Sequence, residues 1–369
     1  MCRKSWMPKW CEWFANGLSR ATSETHSPLA RVCAGVLVVA LAACVPRGEP
    51  DPGAAYLERL GGVLDTALIP PPGPRGPPWP SRRALTLPIV ALEIDAVEFV
   101  ALHGCDLGAL AGYRNSPLGR VQRASQRLGY EAEWLRIVGR CANAPVWLEG
   151  LAREKRAALP ALFWNATLGS EEFRIAAGAS LPGDATAFAH QLERLRAHHA
   201  ALLRDAFDVD AFEVDLGRLA RESAIGTARA RWLAQRAVLD TARQALLAEA
   251  PRLCRNGRPT PRARYLTNVF ARFYVLGLQP ALAREHARDG AWIDVLLALT
   301  DDQSGVPPPV YRDWVRAVLD PAQPSSEWAR TRAAVVAHAE VWQALFARCG
   351  IDPRSIAQDP AAAGTISAL

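Results

Sequence analysis

Apolar residues recur at helical spacing through most of this chain. Phe188, Leu192, Leu195, His199 and Leu202 follow steps of four and three, which places them on one face of a helix. Ile225, Trp232, Leu239 and Leu246 recur every seven residues. Trp328, Val335, Trp342 and Cys349 do the same, with Thr331, His338 and Leu345 offset by three. Long amphipathic helices of this kind need partners to cover their apolar stripes. Strand-like alternation appears only in the short segment from Leu85 to Ile89, and no repeat of fixed period suggests a solenoid. Gly350, followed by Pro353, reads as the stop of the last helix and leaves Arg354 to Leu369 as a frayed tail. The pattern predicts a mostly α fold, an irregular multi-helix bundle.

The N-terminal part departs from this pattern twice. Ala54 to Ala67 still has helical spacing, with Leu57, Leu60 and Leu64 on one side, but Pro70 to Pro80 is too rich in Pro for a helix. It reads as an extended strap or stiff spacer. Farther upstream, a continuous apolar run from Val32 to Ala43 follows Arg31 and closes with Leu41-Ala42-Ala43-Cys44. A basic residue, a short apolar core and small residues before a cut make a secretory signal. A Cys placed directly after the cut is what a bacterial lipoprotein signal looks like. The run is shorter than the roughly 20 residues that a membrane span needs. Cys44 is therefore the expected lipidation site, and its acyl chains would supply the two or more signals that stable anchoring takes. Gram-negative lipoproteins retained in the inner membrane usually carry Asp after the Cys, so by that resemblance Val45 points to the outer membrane. Met1 lies farther from Cys44 than the roughly 15–30 residues of a signal, so a start codon assigned too far upstream is expected.

Four segments result. Residues 1–43 are an upstream extension and signal, removed on maturation. Residues 44–83 are a lipid tether, a short helix and the Pro-rich strap, 84–353 a helical domain, and 354–369 a flexible tail.

Composition changes this picture in two ways. Five cations and two carboxylates precede Cys44, so of the formal charge of +6 only +3 stays with the expected mature chain. That balance does not point to nucleic acid. Lys155 is the only Lys after Lys9, so nearly every mature cation is Arg. Four cysteines follow Cys44, and an even number in an oxidising periplasm reads as two disulfides. Three pairings are formally possible; Cys105–Cys141 and Cys254–Cys349 join neighbours in sequence. No C-x-x-C spacing suggests zinc or thiol exchange, and no cofactor or metal pattern is expected.

Ser116-Pro117 reads as an N-cap followed by Pro at the first helical position. The expected helix buries Leu118, Val121, Ser125, Leu128, Ala132 and Leu135, and gathers Arg120, Arg123 and Arg127 on one solvent-facing side. Arg114 and Asn115 stand just before it. A helix start favours anions, and Arg offers planar bidentate donors for phosphate or carboxylate. Thr260-Pro261 repeats the arrangement beside Arg262 and Arg264. Arg114, Asn115, Ser116, Arg120, Arg123, Arg127, Arg262 and Arg264 are thus the candidate anion-binding set, against the plainer reading of a solvated face with ion pairs. Asp205, Asp208, Asp210, Glu213 and Asp215 form an acidic cluster. A carboxylate pair within it would suit glycan hydrolysis, but its alternation with Phe207, Val209, Phe212 and Val214 reads as a charged surface. His199 and His338 lie on apolar stripes and read as hydrogen-bonded core residues. His190, Arg194 and His198 share a flank, where the Arg argues against a metal. Asn165-Ala166-Thr167 matches a glycosylation sequon.

Ala101 to Cys105, Arg114 to Arg120, Ser125 to Leu128, Trp164 to Thr167 and Ala263 to Phe270 form a set of stretches. Together they resemble a family of Gram-negative lipoproteins, domain of unknown function 3080. The Cys of the signal, the Pro-rich strap and the closing Cys349-Gly350 also match, while the residues before Arg31 depart from the family's short signal. The resemblance implies an outer-envelope lipoprotein with no assigned activity. The expectation is a lipid-anchored periplasmic protein at the outer membrane that binds an envelope protein, anionic lipid or cell-wall polymer, or is structural. The alternative is an envelope enzyme acting on cell-wall glycan through a carboxylate pair.

Overall fold

The computed structural model describes residues 51–352 and residue 356, apart from 91–93, 142–143, 179–180 and 304–306. The expected signal, Cys44 and the tail after Ile356 lie outside the described residues. Asp51 starts the first helix, α1 (Pro52–Leu64), by accepting from the Gly53 and Ala54 amides. Its inner face carries Tyr56, Leu57, Leu60 and Leu64, all buried. The Pro-rich strap follows without regular structure and lies on the body. Arg229 donates to the Pro77 carbonyl at 2.8 Å, and Trp79 packs its ring 4.6 Å from that of Trp314 and 5.1 Å from Phe173. Gly76 leaves room for Glu327 here, because a Cβ would fall 1.6 Å from its Oε1 and the carboxylate would have to shift.

The chain then winds through α2 (Arg82–Leu85), α3 (Ala96–Ala101), a 3-10 turn over Leu102–Cys105, α4 (Gly108–Asn115) and α5 (Pro117–Arg120). The pair α6 (Ala124–Val138) and α7 (Val146–Ala166) follows, then α8 (Glu171–Ala177), α9 (Ala185–Leu202) and α10 (Val209–Leu219). The longest helix is α11 (Ala224–Leu253). It runs into a small antiparallel hairpin, Cys254–Arg255 with Arg258–Pro259, which sequence alternation did not reveal. Its turn is Asn256-Gly257, both at positive φ, the conformation a tight hairpin requires. The chain ends with α12 (Pro261–Val269), a π-helical stretch over Phe270–Leu278, α13 (Gln279–Asp301), α14 (Pro309–Val318) and α15 (Glu327–Cys349). This is the mostly α, disulfide-stapled bundle with a Pro-rich strap. Among the described residues, no helix is long and apolar enough to cross a membrane.

Two apolar clusters form the interior of the unit from Asp51 onward. Three long helices run through both. On α11, Ile225 and Trp232 enter the first cluster, Leu239 and Leu246 the second. On α15, Trp328 lies in the first, and Trp342, Leu345 and Cys349 in the second. Helix α13 does the same with Trp292 and Leu282. A polar band crosses between the clusters. The fully buried Asp289 accepts from Arg231, from Trp232 Nε1 at 2.7 Å and from Trp292 Nε1 at 3.2 Å. One disulfide joins Cys105 to Cys141, the other Cys254 to Cys349. Gly350 takes the left-handed conformation at φ 64° and ends α15, with the Ile351 amide bonding the Phe346 carbonyl.

Two expectations need correction. The segment from Leu85 to Ile89 is not a strand. Leu85 ends α2, and Asn165 holds Leu87 by both backbone groups, its Oδ1 accepting from the amide at 2.8 Å and its Nδ2 donating to the carbonyl at 2.9 Å. Trp164 Nε1 donates to the Leu85 carbonyl beside it. The amide of the apparent sequon is therefore a clamp that satisfies the backbone groups a strand neighbour would otherwise pair. Second, the helix begun at Pro117 lasts one turn. Arg114 reaches around to the Gly119 carbonyl, the acceptor that residue 123 needs to continue an α-helix. The Arg123 amide turns instead to Gln126 Oε1, and α6 starts there. Leu118 and Val121, expected inside, are exposed, whereas Ser125, Leu128 and Leu135 are buried and Ala132 is half-buried.

Candidate functional site

The break after Arg120 decides where the candidate arginines go. Ser116 caps α5, its Oγ accepting from the Gly119 amide at 3.1 Å and donating to the Tyr113 carbonyl. A Cβ at Gly119 would lie 2.1 Å from that same Tyr113 carbonyl, so the corner closes only with Gly. The corner swings Arg114, Asn115 and Arg120 over a cavity of about 290 Å³ whose other wall is α6 and α7. Arg127 lines the same cavity from α6. Arg123 does not. It borders a separate hollow with Arg82, Glu171 and Glu172. The expected row of Arg120, Arg123 and Arg127 on one helix face is thus divided, and Arg127 is half-buried rather than solvent-facing.

The centre of the cavity wall is a pair that sequence reading did not single out. Lys155 on α7 places Nζ 2.5 Å from Glu131 Oε2 on α6, and both side chains are buried. The other oxygen of Glu131 accepts from Arg127 Nε at 3.3 Å. The Lys155 ammonium also stands 4.7 Å from the Trp134 ring centre and 5.5 Å from that of Tyr130, within cation–π range. Arg127, Glu131 and Trp134 share one face of α6 at steps of four and three, which is why one helix supplies all three to the wall. The one signal available in sequence was Lys155 itself, a lone compact ammonium in a chain that otherwise uses Arg.

Charge in the cavity is unbalanced. Arg114, Arg120, Arg127 and Lys155 face a single carboxylate, Glu131, among the described lining residues. Burial lowers the pKa of Arg114, and the like charges of Arg127 and Arg120 add to that. Burial, then the Glu131 charge, pushes the Tyr130 hydroxyl up to about 12. Asn115 and Tyr130 add neutral polar groups, and the rest of the lining is apolar, with Ile89, Ile94, Leu102, Leu151 and Leu162 prominent. An anion with an apolar body answers both features: its charge relieves the repulsion and its body covers the apolar wall.

The remaining candidates lie elsewhere. Thr260 caps α12 as expected, but Arg262 and Arg264 are exposed on a helix that packs on α1 and the π-helical stretch, beside the second cluster. They do not join the cavity. Two members of the acidic cluster have assigned structural partners. Asp208 caps α10, and Asp215 is enclosed by Arg194 at 2.8 Å, His198 at 2.9 Å and Arg218 at 2.9 Å. Burial raises the Asp215 pKa, but the bonds from His198, Arg194 and Arg218 outweigh it and hold the carboxyl below its usual range. Among the described residues, no group of His, Cys, Asp and Glu could hold a metal ion.

No curated protein and no solved structure matches the chain significantly. The family described as "Protein of unknown function (DUF3080)" matches residues 54–353, from the first turn of α1 through the end of α15, and the chain belongs to it.

Proposed function

We propose that this protein is a lipid-anchored factor of the cell envelope, held through Cys44, that binds an anionic amphiphile between α4, α5, α6 and α7. One observation carries the binding reading: four cations and one carboxylate in a cavity whose other lining residues, apart from Asn115 and Tyr130, are apolar. A glycan-hydrolase reading has no comparable support, since Glu131 already bridges Lys155 and Arg127 and Asp215 is enclosed by Arg194, Arg218 and His198.

Calorimetry of the full chain with dodecyl phosphate, and with neutral dodecyl maltoside as control, tests this. Dodecyl phosphate should bind and the maltoside should not. Arg120→Gln with Arg127→Gln should weaken binding about tenfold or more, because a charged hydrogen bond is worth about 1.5–3 kcal/mol. Added salt should weaken what remains. Equal affinity for the neutral detergent, or an unchanged double variant, refutes the anion site.

The anchor has its own test. Mass spectrometry of the envelope-extracted protein should find an acylated Cys44 as the first residue, and Cys44→Ala should be released from membranes. Residues upstream of Cys44 on the mature protein would overturn the anchoring.

A further inference from the structure

The Pro-rich strap bounds a second hollow. Pro71 to Pro74 form one wall of a space of about 550 Å³ along the seam where α11 and α15 pack. The strap meets α11 closely here, since a Cβ on Gly73 would fall 2.4 Å from Leu233 Cδ1. Ala237 on α11 and Ala333, Ala334 and Ala337 on α15 are too short to fill the seam beside it.

The charges around this space do not balance. Arg236, Arg243 and Arg330 line it, and Asp240 is the carboxylate among the described lining residues. Asp240 lies 3.5 Å from Arg243 on the same helix. Glu327, the other carboxylate that acts on Arg236, is held by Arg229 through both oxygens, at 2.7 Å and 2.8 Å. Arg330 turns its Nε to the Ser326 carbonyl of its own helix at 3.4 Å. Arg236 is half-buried, yet it has no hydrogen bond or ion pair among the described residues, and its Nε is shut off from solvent. Burial lowers the Arg236 pKa, and the like charge of Arg330 adds to that, against smaller pulls from Glu327 and Asp240.

A guanidinium that has lost water without gaining a partner is unfavourable where it stands. A neutral acceptor would satisfy its donors and leave the two positive charges opposed. An oxyanion answers both. A phosphate group has enough oxygens to accept from planar Arg forks on two helices at once, and the Ala, Leu and Pro walls leave room for a small body beside it.

We infer that this space is a second anion site, separate from the cavity beside α6 and α7, in which Arg236 and Arg330 hold the phosphate of a small organic phosphate against the strap.

Calorimetry with phenyl phosphate tests this on the full chain, with benzyl alcohol as the neutral control. The background is Arg120→Gln with Arg127→Gln, which weakens the first cavity. Phenyl phosphate should still bind there, and benzyl alcohol should not. Adding Arg330→Gln should weaken binding about tenfold or more, because it removes a charged hydrogen bond. Arg330 is exposed, so this change leaves the fold intact. Arg236→Lys keeps the charge but loses the planar fork, and should weaken binding by a similar factor. Unchanged affinity in either variant overturns the inference, as does equal binding of benzyl alcohol. Binding by the parent that disappears in the Arg120→Gln, Arg127→Gln background also overturns it. That result assigns the phosphate to the first cavity, whose reading then stands alone. If the background binds phenyl phosphate through Arg236 and Arg330 while the parent and this background bind dodecyl phosphate equally, the first reading falls and the second site stands.

Discussion

Replacing Cys254 and Cys349 together by Ala is expected to cost about 4–5 kcal/mol of folding stability. The bond closes a loop of 95 residues, and the chain-entropy cost of leaving such a loop open in the unfolded state is about 4.7 kcal/mol. Its position makes the loss structural as well. Cys254 follows the last turn of α11, and Cys349 ends α15, so the bridge pins together the distal ends of two long rods that pack on each other. Both cysteines are buried in the second apolar cluster, beside Leu253 and Phe346. The matching removal of Cys105 and Cys141, 36 residues apart, is expected to cost about 3–4 kcal/mol. Urea unfolding of the two double variants measures both. A loss below about 1 kcal/mol for the first pair would show that α15 is held by packing alone.

Acidification is expected to destabilise the protein through His338, by about 3 kcal/mol between neutral pH and pH 4. Nε2 of His338 lies 2.9 Å from the Tyr56 hydroxyl and 3.1 Å from Trp342 Nε1. The indole N–H can only donate, so Nε2 accepts, and the ring is neutral with its proton on Nδ1. Protonating Nε2 would set a third donor against the indole. Burial is the main cause that brings the pKa down from 6.5 to about 4; repulsion from Arg243 adds to it, against a smaller opposing pull from the Leu239 backbone. In the unfolded chain His338 takes its proton near pH 6.5, before the folded protein does. The contribution is therefore complete above that pH and is lost as pH falls toward 4. His199 and His286, whose pKa values burial also lowers, act in the same direction, so the comparison must be with a variant. His338→Gln keeps an acceptor and cannot charge. The difference in urea stability between about pH 7 and pH 4 should shrink by about 3 kcal/mol in this variant. An unchanged pH dependence would show that His338 is not the group that titrates. The effect also bears on the N-terminus, because Tyr56 is the residue by which α1 is bonded to α15.

Much of the fold is legible in the chain's own spacing. The seven-residue stripes on α11 and α15 name the side chains that enter the two clusters, and the Phe188 to Leu202 stripe names the buried face of α9. Ser116-Pro117, Thr260-Pro261 and Gly350 mark helix ends where they occur. These features are governed by energies within a few residues: backbone propensity, a cap, the period of an apolar stripe. A short window of sequence contains all of them.

The candidate site is only half legible there, because it depends on partners that no spacing encodes. The helix that Ser116-Pro117 begins stops at a corner where Arg114 donates to the Gly119 carbonyl, and beyond it Arg123 borders one hollow while Arg120 and Arg127 line another. Asn165 holds Leu87 across 78 residues, and Lys155 meets Glu131 across 24, contacts made when separate helices pack. Arg264 follows its cap Thr260 at the same offset as Arg120 follows Ser116, yet tertiary packing places it beside the second cluster, away from the cavity. The sequence by itself determined where the long helices turn their apolar faces and where Ser116, Thr260 and Gly350 mark helix ends, since local terms decide that. Only the tertiary structure decided which cations share one cavity and which are neutralised, because charge balance is a property of everything within a few ångströms, however distant along the chain.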